Sequence, residues 1–161
     1  MSNSIKTLLA KGVRNGGTSL IEHTEQVVCA IEKISSKLNL NVDIARKGAV
    51  LHDVGKAHPS FQEKLLNDEI DLIEQRIEIP LRHEISSLLF LPLFVKDEWD
   101  YLIEMIIGHH KSIKSLTQSS NSKGIIDLVE GYGEDRVFER HSERWTEWSI
   151  ETNTIIEHFG Y

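Results

Sequence analysis

Apolar residues along this chain recur at helical spacing in one stripe after another, and no segment carries the sustained alternation of a half-buried strand. A chain patterned this way buries its apolar surface by packing helix on helix, so the fold expected is all-α, a single-domain helical bundle. Ser19 with Glu22 forms a capping box ahead of a helix over about Leu20 to Leu38, with Val27, Ile31, Ile34 and Leu38 on one stripe and His23 at its head. Asn41 caps a second helix through Ile44, Gly48 and Leu51. This helix is expected to stop at Gly55 and to carry His52 and Asp53 in its last turn. His58 precedes Pro59 and reads as extended, and Ser60 with Glu63 opens a third helix bearing Phe61, Leu65, Leu72 and Ile73. Pro80 starts a fourth helix bounded by Pro92, with His83 in its first turn and Ser86, Ser87 and Phe90 on the same side. A fifth runs from about Asp97 through Trp99, Leu102, Ile103, Ile106 and Ile107 to His109 and His110. The stretch 111–133, rich in Ser, Gly and Lys, reads as a long loop with one turn of helix in the apolar island Ile125 to Val129, and a long loop beside a ligand cluster is often a lid. Asp135 to Trp148 reads as helical, with Val137, His141, Trp145 and Trp148 on a face, and a weaker segment ends the chain.

The 161 residues suit one compact domain, 1–161, with no linker that would split it. Hydrophobic residues at 40% and charged residues at 27% are globular proportions and argue against disorder or a fibrous repeat. The one cysteine, Cys29, lies in an apolar helical pattern; it cannot form an intrachain bridge and excludes a zinc-thiolate site, so a reducing cytoplasm is the expected compartment. The N-terminus has no apolar core of a signal peptide. The longest apolar run, Ser87 to Val95, is far shorter than a membrane span and is broken by Pro92, so the expectation is a soluble protein with no membrane partner. With 25 acidic against 18 basic residues, net −7, no bulk positive field draws nucleic acid onto the surface. Any such contact must be local, which suits an enzyme that engages phosphates through metals or receives its substrate from a partner.

Position, more than number, makes the eight histidines informative. His23, His52, His83, His109 and His110 each fall at an end of an expected helix, on or beside its apolar stripe, where an unpaired imidazole is costly. Taken singly, each reads as a core residue bonded to a carbonyl. Five together, joined by the adjacent pair His52-Asp53, make coincidence the more demanding explanation. Imidazoles suit Mn, Fe, Co, Ni or Zn, and a carboxylate can bridge two cations through its two oxygens, so a histidine-rich set around one aspartate fits a transition-metal pair. Such ions activate water and neutralise phosphate in an in-line displacement. A bare His-Asp dipeptide is common by chance, so the weight rests on the ordered set.

That ordered set resembles a known family. His23 on a first helix, LHDVGKAHPSFQEKL (Leu51 to Leu65), RHEISSL (Arg82 to Leu88) and IIGHHKS (Ile106 to Ser112) are similar to the HD nuclease of type I CRISPR interference, a member of the HD superfamily. The resemblance covers about Ser19 to Ser112. It implies metal ligation by His23, His52, Asp53, His83, His109 and His110, with Asp53 bridging two ions and Lys56 facing the site. It implies one or two divalent ions, Mn, Ni, Co or Fe, with Mg as an alternative. The implied activity is cleavage of single-stranded DNA by a metal-activated water in antiviral defence, with the interference helicase and the guide-RNA surveillance complex as partners. Read from chemistry alone, a Lys56 ammonium beside the His-Asp turn can stabilise charge on a phosphoryl oxygen, or it can be a solvated cation at a helix C-terminus.

Other residues carry lesser expectations. His58 falls beside the cluster or in solvent; Arg82 and Glu84 orient His83 or pair with each other. Lys111, Lys114 and Lys123 guide a phosphate backbone or are simply solvated. Trp145 and Trp148 read as core, and His141 and His158 lie beyond the motifs. The family also carries a late aspartate, followed by Ala and Ser in a small-residue helix, that completes its first metal site. No such helix is present; Asp127 and Asp135 match by position only. The chain is then a truncated or divergent nuclease, or its site lacks that ligand. Two other functions stay open: an HD phosphohydrolase acting on nucleotides or cyclic dinucleotides, and a vestigial, non-catalytic HD module.

Overall fold

The first helix begins where its cap dictates: Oγ of Ser19 accepts the backbone N–H of Glu22 at 3.2 Å and opens α1 (Leu20–Lys37). In the computed structural model the described residues are 8–13, 16–66, 79–109 and 125–161. Asn41 caps α2 (Val42–Leu51) in the same way through the N–H of Ile44. There follow α3 (Pro59–Leu66), α4 (His83–Leu88), α5 (Trp99–Gly108), α6 (Ile125–Tyr132), α7 (Glu134–Ser142) and α8 (Trp145–His158). Among the described residues the sole extended pairing is an isolated bridge between Leu9 and Ser19, so the fold is all-α as expected.

Local structure departs from expectation in several places besides the start of α4, which is His83 and not Pro80. First, α2 ends at Leu51, with His52 as its cap, and the chain enters a 3₁₀ turn over Val54–Ala57, with Asp53 at the junction. Gly55 lies inside that turn and does not terminate α2. Second, the segment expected as one turn near Ile125 is the eight-residue helix α6; the rest of the expected loop, 111–124, lies outside the described residues, as do Leu72 and Ile73. Third, the helix expected over Asp135 to Trp148 is two helices. They break at Arg144, whose left-handed φ of 56° turns the chain, and the last of them continues to His158. Fourth, α1 buries Leu20, Thr24, Val28 and Ser35, while Ile34 and Leu38 of the expected stripe are exposed, and so is Cys29. Thr24 enters the core because its hydroxyl donates to the Leu20 carbonyl at 2.8 Å.

The core is built from Leu20 and Val28 of α1, Val50 and Leu51 of α2, Val54 and Ala57 of the 3₁₀ turn, Phe90, Leu102 and Ile106, and Trp148, Ile155 and Ile156 of α8. At its centre is the Val54–Ala57 turn, against which α1, α2, α3, α4 and α8 all pack. Helix α2 also packs on α1 and α5, and α4 on α5 and α7. No helix among the described residues is long and apolar enough to cross a membrane. The turn that follows His52-Asp53 is therefore the point at which distant helix ends are forced together.

Candidate metal centre

Asp53 is buried at that junction, with 3% of its side chain exposed, and its two oxygens face different pairs of imidazoles. Oδ2 lies 3.1 Å from Nε2 of His23, on the first turn of α1, and 3.3 Å from Nε2 of His52. Oδ1 lies 3.0 Å from Nε2 of His83, the first residue of α4, and 3.5 Å from Nε2 of His109, the cap of α5. Within each pair the ring nitrogens face one another: His23 and His52 at 3.4 Å, His83 and His109 at 3.4 Å. Four residues separated by up to 86 positions thus meet around one carboxylate. His110 lies outside the described residues.

The ring orientations are set by backbone carbonyls. Nδ1 of His52 donates to Ala49 O at 2.6 Å, and Nδ1 of His109 donates to Ile106 O. With the proton held on Nδ1, a neutral ring turns the lone pair of Nε2 toward Asp53 and toward its neighbour. Lone pairs converging on a carboxylate repel unless a cation sits among them. Burial pushes the Asp53 carboxyl up, and hydrogen bonds from the ring N–H groups of His109, His23, His52 and His83 more than reverse this when those nitrogens carry the proton; in the other tautomer a cation takes that place. Asp53 is an anion here. Its Oδ1 is buried and accepts no hydrogen bond, an arrangement costly enough to require a partner.

A divalent ion fits these donors. Two ligands on one cation at about 2.1 Å are separated by roughly 3.0 Å at a right angle and 3.4 Å at the tetrahedral angle. The edges of the triangle His23, His52 and Asp53, and of the triangle Asp53, His83 and His109, run from 3.0 to 3.5 Å, and each set could hold a metal ion. Lys56 brings a cation to the same centre: its Nζ lies 2.7 Å from Asp53 Oδ2.

Sequence reasoning gave no role to several residues that build this frame. Oγ of Ser87 accepts the Gly55 N–H at 2.8 Å and tethers α4 to the turn. Gln62, buried on α3, accepts the Leu9 N–H at 2.8 Å and donates to Leu9 O at 2.9 Å and Lys56 O at 2.6 Å, fixing the backbone that carries Lys56. Phe61 meets the His83 ring edge-on at 5.1 Å between centroids. Arg82 pairs with Glu84, as the sequence led one to expect, but Glu84 is buried, and its Oε2 lies 3.8 Å from Nδ1 of His83. His141 is buried, donating from Nδ1 to Val137 O at 2.7 Å and accepting the Arg82 N–H at 3.1 Å, so it docks α7 on the entry to α4. Its place beside Val137 on an apolar face was the available signal.

Two other expectations are corrected or narrowed. His58 is not in solvent: it is wholly buried against Trp148, 5.2 Å between ring centroids. Trp148 is core as expected, but Trp145 is 36% exposed. Asp135 is exposed at the start of α7 and belongs to neither donor set, while the side chain of Asp127 and the lysines 111, 114 and 123 lie outside the described residues.

An all-α domain whose helix ends deliver four imidazoles to one buried carboxylate is a domain built around a divalent-metal site. The chain belongs to the HD domain family, whose profile matches residues 20–146. The His/Asp cluster of that domain has the donor set of a divalent-metal site. Over 48 residues it is 35% identical to the protein named Ribonuclease Y of Treponema denticola, a stretch that is 30% of this chain and 9% of that relative. The chain thus matches a small part of that relative's length. No solved structure matches it.

Proposed function

We propose that this domain hydrolyses phosphodiester bonds in single-stranded DNA, as the HD nuclease acting with a helicase and a guide-RNA surveillance complex in CRISPR antiviral defence. The observation that carries the hydrolytic part is the division of four imidazoles between the two oxygens of Asp53. Divalent ions at this centre would supply a water of lowered pKa and neutralise phosphate charge. Asp53 stays ionised to hold them, the Ala49 and Ile106 carbonyls keep His52 and His109 in the ligating tautomer, and Lys56 offers an ammonium to the phosphoryl oxygens as the bond breaks. The polynucleotide substrate and the partners rest on the motif order from His23 to His109 and on the net charge of −7, which suits a strand delivered by another component.

A second reading has its own support: the similarity to a protein named Ribonuclease Y favours RNA. Purified chain with manganese(II) or nickel(II), assayed against single-stranded DNA, single-stranded RNA and a panel of nucleotides and cyclic dinucleotides, separates the substrates. Cleavage of DNA that Asp53→Asn abolishes supports the first reading. Full metal binding with RNA or small nucleotides alone turned over would replace it.

A further inference from the structure

A second concave surface is lined by none of the residues around Asp53. Leu88 and Leu89 at the end of α4, Pro92 after them, Phe138 and Ser142 of α7 and Trp145 at the start of α8 enclose an apolar groove of about 520 Å³. Phe138 is 61% exposed, and Leu93, beside Pro92, is exposed as well. Trp145 is half-open to solvent yet held in place: its ring lies 5.0 Å from that of Phe90 and 5.1 Å from that of Trp148, both buried. An aromatic fixed before contact loses little freedom on binding, the profile of an interface anchor. The one hydroxyl in the wall, Ser142 Oγ, is engaged by the Phe138 carbonyl at 2.8 Å, so the groove favours an apolar occupant.

The charge around the groove selects among apolar occupants. On α7, Glu134 lies one turn before Phe138 in the same row, with Asp135 beside it, and Glu139 follows Phe138; all three are exposed and form no ion pair among the described residues. The nearby cations are engaged: Arg140 by Glu143, Arg144 by Glu63 and Glu147, and Arg136 by a partner of its own. This acidic rim repels the phosphates of nucleic acid and of an anionic lipid surface, and a second copy of a chain of net charge −7 would bring the same carboxylates to the contact. An isolated bridge is the sole extended pairing among the described residues, so there is no sheet edge for an extended peptide to join. We infer that the groove docks an amphipathic helix of a protein partner, its apolar stripe seated on Phe138 and Trp145 and its flanking lysines or arginines paired with Glu134, Asp135 and Glu139. Docking there requires no metal, so it stands or falls apart from the hydrolytic reading.

The probes are two synthetic helical peptides with leucine at i, i+3, i+4 and i+7 spacing, one bearing lysine and the other glutamate on the remaining faces, each labelled for fluorescence anisotropy with the full chain. The lysine peptide should bind about tenfold or more tightly than the glutamate peptide, and less tightly as salt is raised. Phe138→Ala should weaken it by about tenfold or more. Glu139→Lys should weaken the lysine peptide and narrow its lead over the glutamate peptide. Ile150→Ala, on α8 outside the groove, should change neither. All three replaced side chains are exposed, so the melting temperature should stay as in the wild type. Failure of the lysine peptide to bind, equal affinity for the two peptides, or lysine-peptide binding undiminished by Phe138→Ala would overturn the inference. So would self-association, or binding of anionic vesicles or of a single-stranded oligonucleotide, that Phe138→Ala abolishes, since each puts a different occupant in the groove.

Discussion

A Cβ placed on Gly55 would stand 2.0 Å from the carbonyl oxygen of His83 and 2.7 Å from the N–H nitrogen of Ser87. The residue after the His52-Asp53-Val54 run is therefore glycine because α4 lies directly on the turn, and that contact brings the His83 imidazole to Asp53. Both clashing atoms are backbone, so nothing flexible can yield. Gly55→Ala should destabilise the fold by at least about 3 kcal/mol and lower cobalt affinity as α4 is pushed away. Ser87→Ala, which leaves the buried Gly55 N–H unpaired, should cost about 1–3 kcal/mol. Urea denaturation of both variants checks the two values, and an unchanged midpoint for Gly55→Ala would contradict the close approach.

His58 gives the fold an acid-sensitive point. Burial, then the nearby guanidinium charges of Arg140 and Arg144 with the ring of His141 between them in effect, push its imidazole down from 6.5 to about 4. Between those values the unfolded chain binds a proton that the folded chain refuses. The stability contributed by neutral His58 is whole above pH 6.5 and is lost progressively as pH falls toward 4. The stability gap between the wild type and His58→Gln should narrow by about 2–3 kcal/mol from pH 7 to pH 4. A gap independent of pH would contradict this.

Two polar clamps hold the centre's supports. Gln62→Leu conserves volume but leaves the Leu9 N–H and the Leu9 and Lys56 carbonyls without their partner. His141→Leu does the same to the Arg82 N–H. Each should cost about 1–3 kcal/mol in chemical denaturation. Gln62→Leu should in addition reduce turnover through the loosened Lys56, whereas an unaltered rate would detach Lys56 from this support.

Metal should stabilise the folded chain by mass action. With cobalt(II) at 100 times its dissociation constant the gain is about 2.7 kcal/mol, visible as a rise in melting temperature that EDTA reverses. Asp53→Asn should show no such rise.

How much of this was legible in the sequence depends on range. Ser19 and Asn41 act within three residues, so the starts of α1 and α2 were readable. The all-α class followed from apolar spacing, which is also local. Which stripe of α1 faces inward was not readable, because Ile34 and Leu38 are as apolar as Val28 and only packing against α2 decides. The break before α8 was hidden because Arg144, not glycine or proline, takes the left-handed turn. His23, His52, Asp53, His83 and His109 could be named from their motifs. Their partition between Oδ1 and Oδ2, and the pairing of Lys56 with Oδ2, depend on three-dimensional placement that no spacing reports. Gln62 and His141 escaped because a buried clamp has no local signature.

The most direct measurement is anomalous diffraction from crystals grown with saturating cobalt(II). The expected result is a cobalt peak about 2.1 Å from an oxygen of Asp53 and from the two Nε2 atoms of the His23/His52 pair, of the His83/His109 pair, or of each. A structure with no cobalt peak beside Asp53, its four imidazoles bonded to other protein groups or to water, would contradict the metal centre from which every functional conclusion here is drawn.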